Sequence, residues 1–156
     1  GKYEEAGPLY ERSLTVREEC LGPDHPGVAA ALNDSARLLE EQGKYDEAEP
    51  LYARAIAIKE TVLGPEHPSL AITLHNRAGL LERQVRAHVL LKETFLRRSG
   101  SGRASTSTLP RCRLSVLGRY EQAEPLYQRC LAIDEKVYGP DHPEVAADLN
   151  NWAGLL

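Results

Sequence analysis

A ten-residue phrase occurs three times in this 156-residue chain. Its copies are GKYEEAGPLY at 1–10, GKYDEAEPLY at 43–52 and GRYEQAEPLY at 118–127. The first two copies start 42 residues apart, and the third starts 75 residues after the second. Self-similarity at a fixed period of this length is typical of proteins built by stacking similar units. We therefore expect a stack of units that share one continuous core, rather than one closed globule.

A second phrase keeps the same register and marks the middle of each unit. It reads LGPDHP at 21–26, LGPEHP at 63–68 and YGPDHP at 138–143. Glycine suits the left-handed position after a helix, and proline is favoured at the first position of the next one. Each unit should therefore contain two helices joined at this phrase. Apolar residues spaced three and four apart predict helices over 4–20, 27–42, 46–63, 69–83, 120–138 and 144–156.

Small and aromatic residues identify a related family. Leu32, Ala36, Leu39, Tyr45, Ala48, Tyr52 and Ala55 have the spacing of the tetratricopeptide repeat. The 42-residue unit is similar to the repeats of kinesin light chains and of nephrocystin-3-like and bacterial repeat proteins. The resemblance implies an all-α solenoid of antiparallel helix pairs that forms a right-handed superhelix. Ser35 and Arg77 stand where that family has a second leucine, so we expect loose packing in the middle unit.

A segment of different composition separates the second and third units. Residues 85–117 carry seven Lys/Arg against one acid, Glu93, whereas the remainder carries 12 Lys/Arg against 22 Asp/Glu. Three interpretations stay open for this segment: a gene-model artefact, a disordered loop, or a basic functional segment. We expect the helices on either side to pair and the segment to bulge out, with a short helix over 85–98. The domains are accordingly 1–84 and 118–156, both repeats, with 85–117 as an insertion.

The composition predicts a soluble cytoplasmic protein. No apolar run approaches the roughly 18 residues that span a membrane. An odd number of cysteines, three, argues against a disulfide framework. We expect Cys20 and Cys130 to be small core residues. Because the chain begins and ends inside a unit, we also expect it to be a fragment of a longer protein.

The enzyme-like candidates are three acid–histidine pairs, Asp24-His25, Glu66-His67 and Asp141-His142. Each pair lies in the equivalent loop of a different unit, so the three cannot converge on one ion. A polar residue before proline can instead cap the following helix. His75 and His88 have no partner at ligand spacing. We expect no catalytic residue, no metal ion and no cofactor.

The surface of the stack is the remaining candidate site. The first helix of each pair should line a concave groove, and the residues beside its core stripe should face that groove. These groove residues are Asn33, Asp34, Arg37, His75, Asn76, Asn150 and Asn151. An asparagine amide both donates and accepts, so it can pair with the backbone of an extended peptide. The alternative is that the asparagines join neighbouring helices within the stack.

The predicted function is a protein-interaction scaffold that is not an enzyme. The resemblance implies a kinesin-light-chain-like cargo adaptor, with kinesin heavy chain and cargo proteins as partners and a location near microtubules. The alternative is a sensor array of a larger signalling ATPase or enzyme whose catalytic domain lies outside these residues. Nucleic acid is not expected as a partner, because duplex phosphates need a basic face and the repeats are acidic. No membrane partner is expected either.

Overall fold

The computed structural model describes the backbone of residues 2–98 and 109–155 and the side chains of residues 5–90 and 118–155. Within these residues all regular structure is helical. The helices are α1 (Lys2–Leu21), α2 (Pro26–Glu41), α3 (Tyr45–Leu63), α4 (Pro68–Arg98), α5 (Leu109–Tyr138) and α6 (Pro143–Leu155). Each helix packs against the next one along the chain, and α2 also contacts α4. The chain is an all-α solenoid, as the repeats predict.

The Gly-Pro phrases end and restart the helices as predicted. Gly22, Gly64 and Gly139 have φ between 88° and 91°, a conformation that side-chain-bearing residues rarely adopt. A proline then opens α2, α4 and α6. The prolines inside α1, α3 and α5 do not break those helices.

The histidine of each phrase caps the helix that follows. His25 Nδ1 accepts a hydrogen bond from the amide of Gly27 at 3.0 Å. His67 Nδ1 accepts from the amide of Ser69 at 3.1 Å, and His142 Nδ1 from the amide of Glu144 at 3.2 Å. Each bond satisfies an amide that the helix itself leaves unpaired. The capping role predicted for the acid–histidine pairs is therefore confirmed for their histidines.

Two helices run further than the periodicity predicts. α4 was expected to end at residue 83 and continues to Arg98, while α5 begins at Leu109 rather than at residue 120. The physical reason is the missing stop signal. Gly43, at φ 75°, ends the turn after α2, whereas Gln84 is followed by Val85 and a run without glycine or proline. Val85 is buried, and Gln84 Nε2 donates to Asp46 Oδ1 at 2.8 Å.

The structure describes only part of the segment 85–117, for which a bulging disordered loop is predicted. Its first part is helical in continuity with α4, so the separate short helix expected over 85–98 is instead an extension. Its last residues belong to α5. Ser99–Thr108 lies outside the described residues, and the three interpretations of the segment remain predictions. The expected pairing of α4 with α5 is present, because Leu70, Ala71 and Leu74 share a core with Cys130 and Ile133.

Two expectations about single residues need comment. Cys130 is buried, as predicted, but Cys20 is exposed. The prediction for Cys20 was wrong because its place in the unit, shared with Val62 and Val137, is exposed in all three copies. Arg77, expected to disturb the middle unit, is half-buried and forms an ion pair with Glu49 at 3.6 Å. Its Nε and the hydroxyl of Ser35 are buried and have no hydrogen-bond partner within the part of the chain that the structure describes.

The stacking of units repeats its contacts from one junction to the next. Tyr52 donates a hydrogen bond to Glu40 at 3.0 Å, and Tyr127, its equivalent one unit later, donates to Glu82 at 3.4 Å. Each bond links a helix that begins a unit, α3 or α5, to the helix that ends the unit before, α2 or α4. The helices that begin the units are joined by ion pairs, Arg54 on α3 with Glu18 on α1, and Arg129 on α5 with Glu60 on α3. The same geometry at both junctions is the structural counterpart of the repeated sequence.

Candidate functional site

The helices that carry the predicted groove residues, α2, α4 and α6, lie in a row. Between α2 and α4, Asn76 Nδ2 donates to Asn33 Oδ1 at 3.0 Å. Between α4 and α6, His75 Nδ1 lies 3.2 Å from Asp148 Oδ1. Residues that the sequence assigns to the groove thus stand at both junctions of this row.

The predicted groove residues divide into two groups by burial and pairing. Asn33 is buried and Asn76 half-buried, and each amide is engaged with the other. This pair joins neighbouring helices, which is the alternative role considered for the asparagines. Asp34 and Arg37 are exposed on α2, one turn apart. They remain available to a ligand.

The third unit presents the other open amides. Asn150 is exposed and Asn151 is half-buried. Neither side chain has a hydrogen-bond partner among the residues that the structure describes. An amide without a partner can offer both a donor and an acceptor to the backbone of a bound peptide. The surface formed by Asp34, Arg37, Asn150 and Asn151 is called the open groove set below.

A polar pocket lies between the two helices of the second unit. Lys59 on α3 is 5% exposed, and its Nζ donates to the carbonyl oxygen of Ser69 and to the hydroxyl of Thr73, both at 2.7 Å. Burial lowers the pKa of Lys59, and the charge of Asp34 partly offsets this. In the first unit Arg17 occupies the equivalent place and donates to the carbonyl oxygen of Gly27 at 3.0 Å. A cation therefore fills this slot in both units.

The third unit has acids in the same slot. Asp134 takes the place of Lys59, Asp148 that of Thr73, and Cys130 that of Ala55. Asp134 and Asp148 are 9% and 5% exposed, and Cys130 is 1% exposed. Cys130 Sγ lies 3.3 Å from Asp148 Oδ2 and 4.0 Å from Asp134 Oδ2. This cluster, Cys130–Asp134–Asp148 with His75, is called the acidic pocket below.

Proton sharing shapes the electrostatics of the acidic pocket. Burial, with the neighbouring Asp148, raises the pKa of Asp134 to about 6. Burial also opposes ionisation of Asp148, but hydrogen bonds from His75, Cys130 and Asp134 outweigh it and lower the pKa of Asp148. Burial and the charge of Asp148 raise the pKa of the Cys130 thiol. Asp148 is thus the more acidic carboxyl group, Asp134 takes up a proton as the pH falls through about 6, and the Cys130 thiol keeps its proton at neutral pH.

The acidic pocket could not be found by searching for ligand-spaced motifs. His75 and Asp148 are 73 positions apart, and the sequence offered His75 no partner. A signal was nevertheless present, because aligning the units shows Cys130, Asp134 and Asp148 departing together from the residues of the unit before. Only the fold shows that these departures meet at one place beside His75.

An open cleft lies away from the groove residues. It has a volume of about 750 Å³ and is lined by residues 43–47 at the start of α3, by residues 84, 85, 87 and 88 of α4, and by Arg119 on α5. Its position follows from the continuation of α4 past the point where a unit normally ends. Among the residues predicted to bind peptide, none lines this cleft.

The comparisons with known proteins agree with the geometry. The family model for the tetratricopeptide repeat matches residues 1–61, 36–88 and 114–156, which is well over half of the chain. The chain belongs to the tetratricopeptide repeat family. Its repeats are of the kinesin light chain-like type, as the sequence predicts. A comparison with curated proteins finds no match.

Solved structures of similar proteins are repeat proteins of the same kind. A candidate kinesin light chain of Podosopora anserina, with nearly identical TPR-like repeats, is 26% identical with a TM-score of 0.51. The match covers 99% of this chain and 78% of that one. BtubC (BKLC) of P. vanneervenii is 15% identical with a TM-score of 0.50, covering 100% of this chain and 54% of that one, and this likeness supports the fold alone.

Together these findings support a protein-interaction repeat scaffold. Within this scaffold α2, α4 and α6 form one row, joined by the Asn76–Asn33 and His75–Asp148 contacts. None of the helices, over the residues described, is both long and apolar enough to cross a membrane.

Proposed function

We propose that the row formed by α2, α4 and α6 binds extended peptide segments of partner proteins through the open groove set. The observation that carries the proposal is the division of the groove residues. Asn33 and Asn76 are engaged with one another, whereas Asp34 and Arg37 are exposed and the amides of Asn150 and Asn151 have no hydrogen-bond partner among the described residues. Exposed charges and open amides thus stand at the two ends of the same row of helices.

The charges of the row determine which peptides it prefers. The repeats carry 22 acids against 12 Lys/Arg, and Asp34 is exposed on the row itself. A peptide with basic or neutral side chains avoids like-charge repulsion, which can cost several kcal/mol at an interface. Binding should therefore favour such peptides and weaken as salt is raised, because exposed charges are screened over about 10 Å at 0.1 M.

The finer role within this class is that of a cargo adaptor. Its support is the identity of 26% to the candidate kinesin light chain, whose repeats are also TPR-like. In this role the partners would be cargo proteins, with kinesin heavy chain engaged elsewhere in the molecule. Sequencing the full transcript separates this role from the signalling array. A heptad repeat next to these units favours the adaptor, and a G-x-x-x-x-G-K-[ST] loop favours the signalling array.

Peptide display on the whole chain tests groove binding. A library of random peptides is selected on the wild-type protein, on Asp34→Ala with Arg37→Ala, and on Arg12→Ala with Glu19→Ala. The last pair is the matched control, because it removes the same two charges from exposed positions on α1. We expect peptides enriched on the wild type and the control to lose enrichment on the groove variant. Equal enrichment on all three proteins, or enrichment on none, would overturn the proposal.

A further inference from the structure

The repeated slot between the two helices of a unit contains a cation in the first two units. Arg17 and Lys59 occupy it, and each donates to a carbonyl oxygen of the facing helix. In the third unit the slot instead contains two carboxyl groups, from Asp134 and Asp148, with the thiol of Cys130. The two helices that form the slot are equivalent in all three units. In the third unit, carboxyl groups and a thiol replace the positively charged side chain.

Three side chains of the acidic pocket are placed as ligands of one ion, and Asp134 lies beside them. A ligand atom from each of His75, Cys130 and Asp148 lies within 4.8 Å of the other two. The close approaches are 3.2 Å from His75 Nδ1 to Asp148 Oδ1 and 3.3 Å from Cys130 Sγ to Asp148 Oδ2. A tetrahedral zinc site with bonds of about 2.0 Å to nitrogen or oxygen and about 2.3 Å to sulfur separates its ligand atoms by roughly 3.3–3.5 Å. The two close approaches to Asp148 therefore need little adjustment to enclose an ion, and the remaining ligand atoms must draw in by less than about 1.5 Å.

The donor types also select the class of ion. Sulfur and imidazole nitrogen favour zinc-like transition ions, whereas calcium and magnesium prefer a shell of oxygen alone. Asp134 Oδ2, 4.0 Å from Cys130 Sγ, offers a fourth ligand. The ring of Tyr127 packs edge-on against the His75 ring at a centroid distance of 5.9 Å, which restricts the orientation of the imidazole.

We propose that His75, Cys130, Asp134 and Asp148 form a binding site for a divalent transition-metal ion of the zinc class. The ion takes the place that the guanidinium of Arg17 and the ammonium of Lys59 fill in the preceding units. On binding, the ion accepts electron pairs from sulfur, nitrogen and two carboxylate oxygens, and the protons of the thiol and of the shared carboxyl pair are released to solvent. His75, whose side chain is 38% exposed, provides the path of entry.

The site would join three helices from two units. His75 lies on α4, Cys130 and Asp134 on α5, and Asp148 on α6. An ion held by all of them fixes the third unit against the second at the junction where α4 and α5 run beyond their normal limits. It would also hold His75 away from any peptide in the groove.

Cobalt titration of the full chain tests the site. Cys20→Ser and Cys112→Ser leave Cys130 as the single thiol, and the metal-free protein is titrated with Co²⁺ under reducing conditions. We expect a sulfur-to-cobalt charge-transfer band and tetrahedral d–d bands that saturate at a single equivalent. Zn²⁺ should then displace Co²⁺ and abolish the bands. Absence of a charge-transfer band at stoichiometric Co²⁺, or an octahedral spectrum, would overturn the proposal.

Variants taken from the neighbouring units serve as fold-compatible tests. Cys130→Ala introduces the residue of Ala55, and His75→Asn that of Asn33 and Asn150. Cys130→Ala should abolish the charge-transfer band and weaken cobalt binding by about 100-fold or more, and His75→Asn by at least about tenfold. His88→Asn, at an exposed position outside the cluster, is the matched control and should leave the titration unchanged. If circular dichroism shows that Cys130→Ala does not fold, His75→Asn decides, and unaltered cobalt affinity in that variant would contradict the site.

Discussion

The second and third units place different chemistry in the same slot between their helices. In the second unit Lys59 spans the slot and donates to the Ser69 carbonyl oxygen and the Thr73 hydroxyl. In the third unit Asp134 and Asp148 occupy the equivalent positions beside Cys130. Both slots are buried, and the helices around them have the same order and the same glycine-proline junction.

The difference shows which residues the repeat requires for its helix pair and which positions can vary between units. The apolar stripe, the glycine at the turn and the capping histidine are common to both units, and these determine the helix pair. The residues of the slot can differ between units as long as their charges are balanced, because a buried charge must be compensated. One unit meets this requirement with an ammonium and hydrogen-bond acceptors, and the other with shared protons or, as we propose, a metal ion.

Exchanging the slot residues between the two units should lower the stability strongly in one direction only. Lys59→Asp puts a carboxylate against the carbonyl oxygen of Ser69 and leaves Thr73 without its donor. We expect a loss of about 3–5 kcal/mol in the free energy of unfolding, the cost of an uncompensated buried charge. Asp134→Lys, in contrast, places an ammonium beside ionised Asp148 and should cost less than about 1 kcal/mol in metal-free protein.

Urea denaturation followed by circular dichroism measures both variants, and equal slopes confirm that the denatured states are comparable. Lys59→Met, which keeps the length of the side chain without its charge, is the control for lost packing. A loss from Asp134→Lys as large as that from Lys59→Asp would contradict the idea that the slot prefers a cation.

The tyrosine that locks each unit to the one before should matter more in the second unit. Tyr52 donates to Glu40 at 3.0 Å, whereas Tyr127 donates to Glu82 at the longer distance of 3.4 Å. Tyr52→Phe should cost about 1.5–3 kcal/mol, the range for hydrogen bonds to charged groups, and Tyr127→Phe about 0.5–1.5 kcal/mol. Thermal or urea unfolding checks the order, and a larger cost for Tyr127→Phe would reverse the comparison.

The same tyrosines predict sensitivity to alkali. Burial and the charge of Glu40 raise the pKa of Tyr52 well above its usual 10.0, and burial and Glu82 raise that of Tyr127. Above pH 10 the unfolded chain releases these protons and the folded chain keeps them. Stability from each tyrosine is therefore complete below pH 10 and falls by about 1.4 kcal/mol per pH unit above it.

Alkaline unfolding measured by circular dichroism, with phenolate absorbance recorded in parallel, tests this expectation. Tyr52→Phe should make the loss of stability above pH 10 shallower than in the wild type. An unchanged pH dependence in that variant would show that Tyr52 ionises in the folded state.

The ion pairs that join α1, α3 and α5 should have the smallest effect. Arg54 with Glu18 and Arg129 with Glu60 are partly exposed at both junctions. Exposed pairs contribute about 0.2–1 kcal/mol, and salt screens them. Arg54→Ala and Arg129→Ala should each cost less than about 1 kcal/mol, and less again at 1 M salt. Unfolding at low and high salt measures this, and a salt-independent cost above 1 kcal/mol would show that the arginine stems pack instead.

The sequence predicted those parts of the fold that depend on local signals. Helices α1, α2, α3 and α6 begin and end within two residues of the predicted limits, because glycine, proline and capping residues mark them. The limits of α4 and α5 next to the segment were wrong, since helix ends without such signals depend on packing, here the burial of Val85.

The partners of the groove side chains could not be predicted from the sequence. Periodicity placed Asn33 and Asn76 on facing sides of α2 and α4, but it could not show whether their amides form a hydrogen bond. Likewise, nothing in the local sequence around His75 indicates Asp148, which lies 73 residues away and approaches only through the stacking of units. Partners of side chains depend on tertiary distances that a pattern along the chain does not contain.

The proposed peptide surface can be tested most directly by calorimetry with a peptide selected on the wild-type chain. The account predicts that Asn150→Ala with Asn151→Ala weakens binding about tenfold, roughly 1.4 kcal/mol, while the midpoint of thermal unfolding is unchanged. Asn33→Ala with Asn76→Ala should lower that midpoint, because it removes a hydrogen bond between α2 and α4. Unchanged peptide affinity in Asn150→Ala with Asn151→Ala would contradict the account, since the open amides would then not contact the ligand.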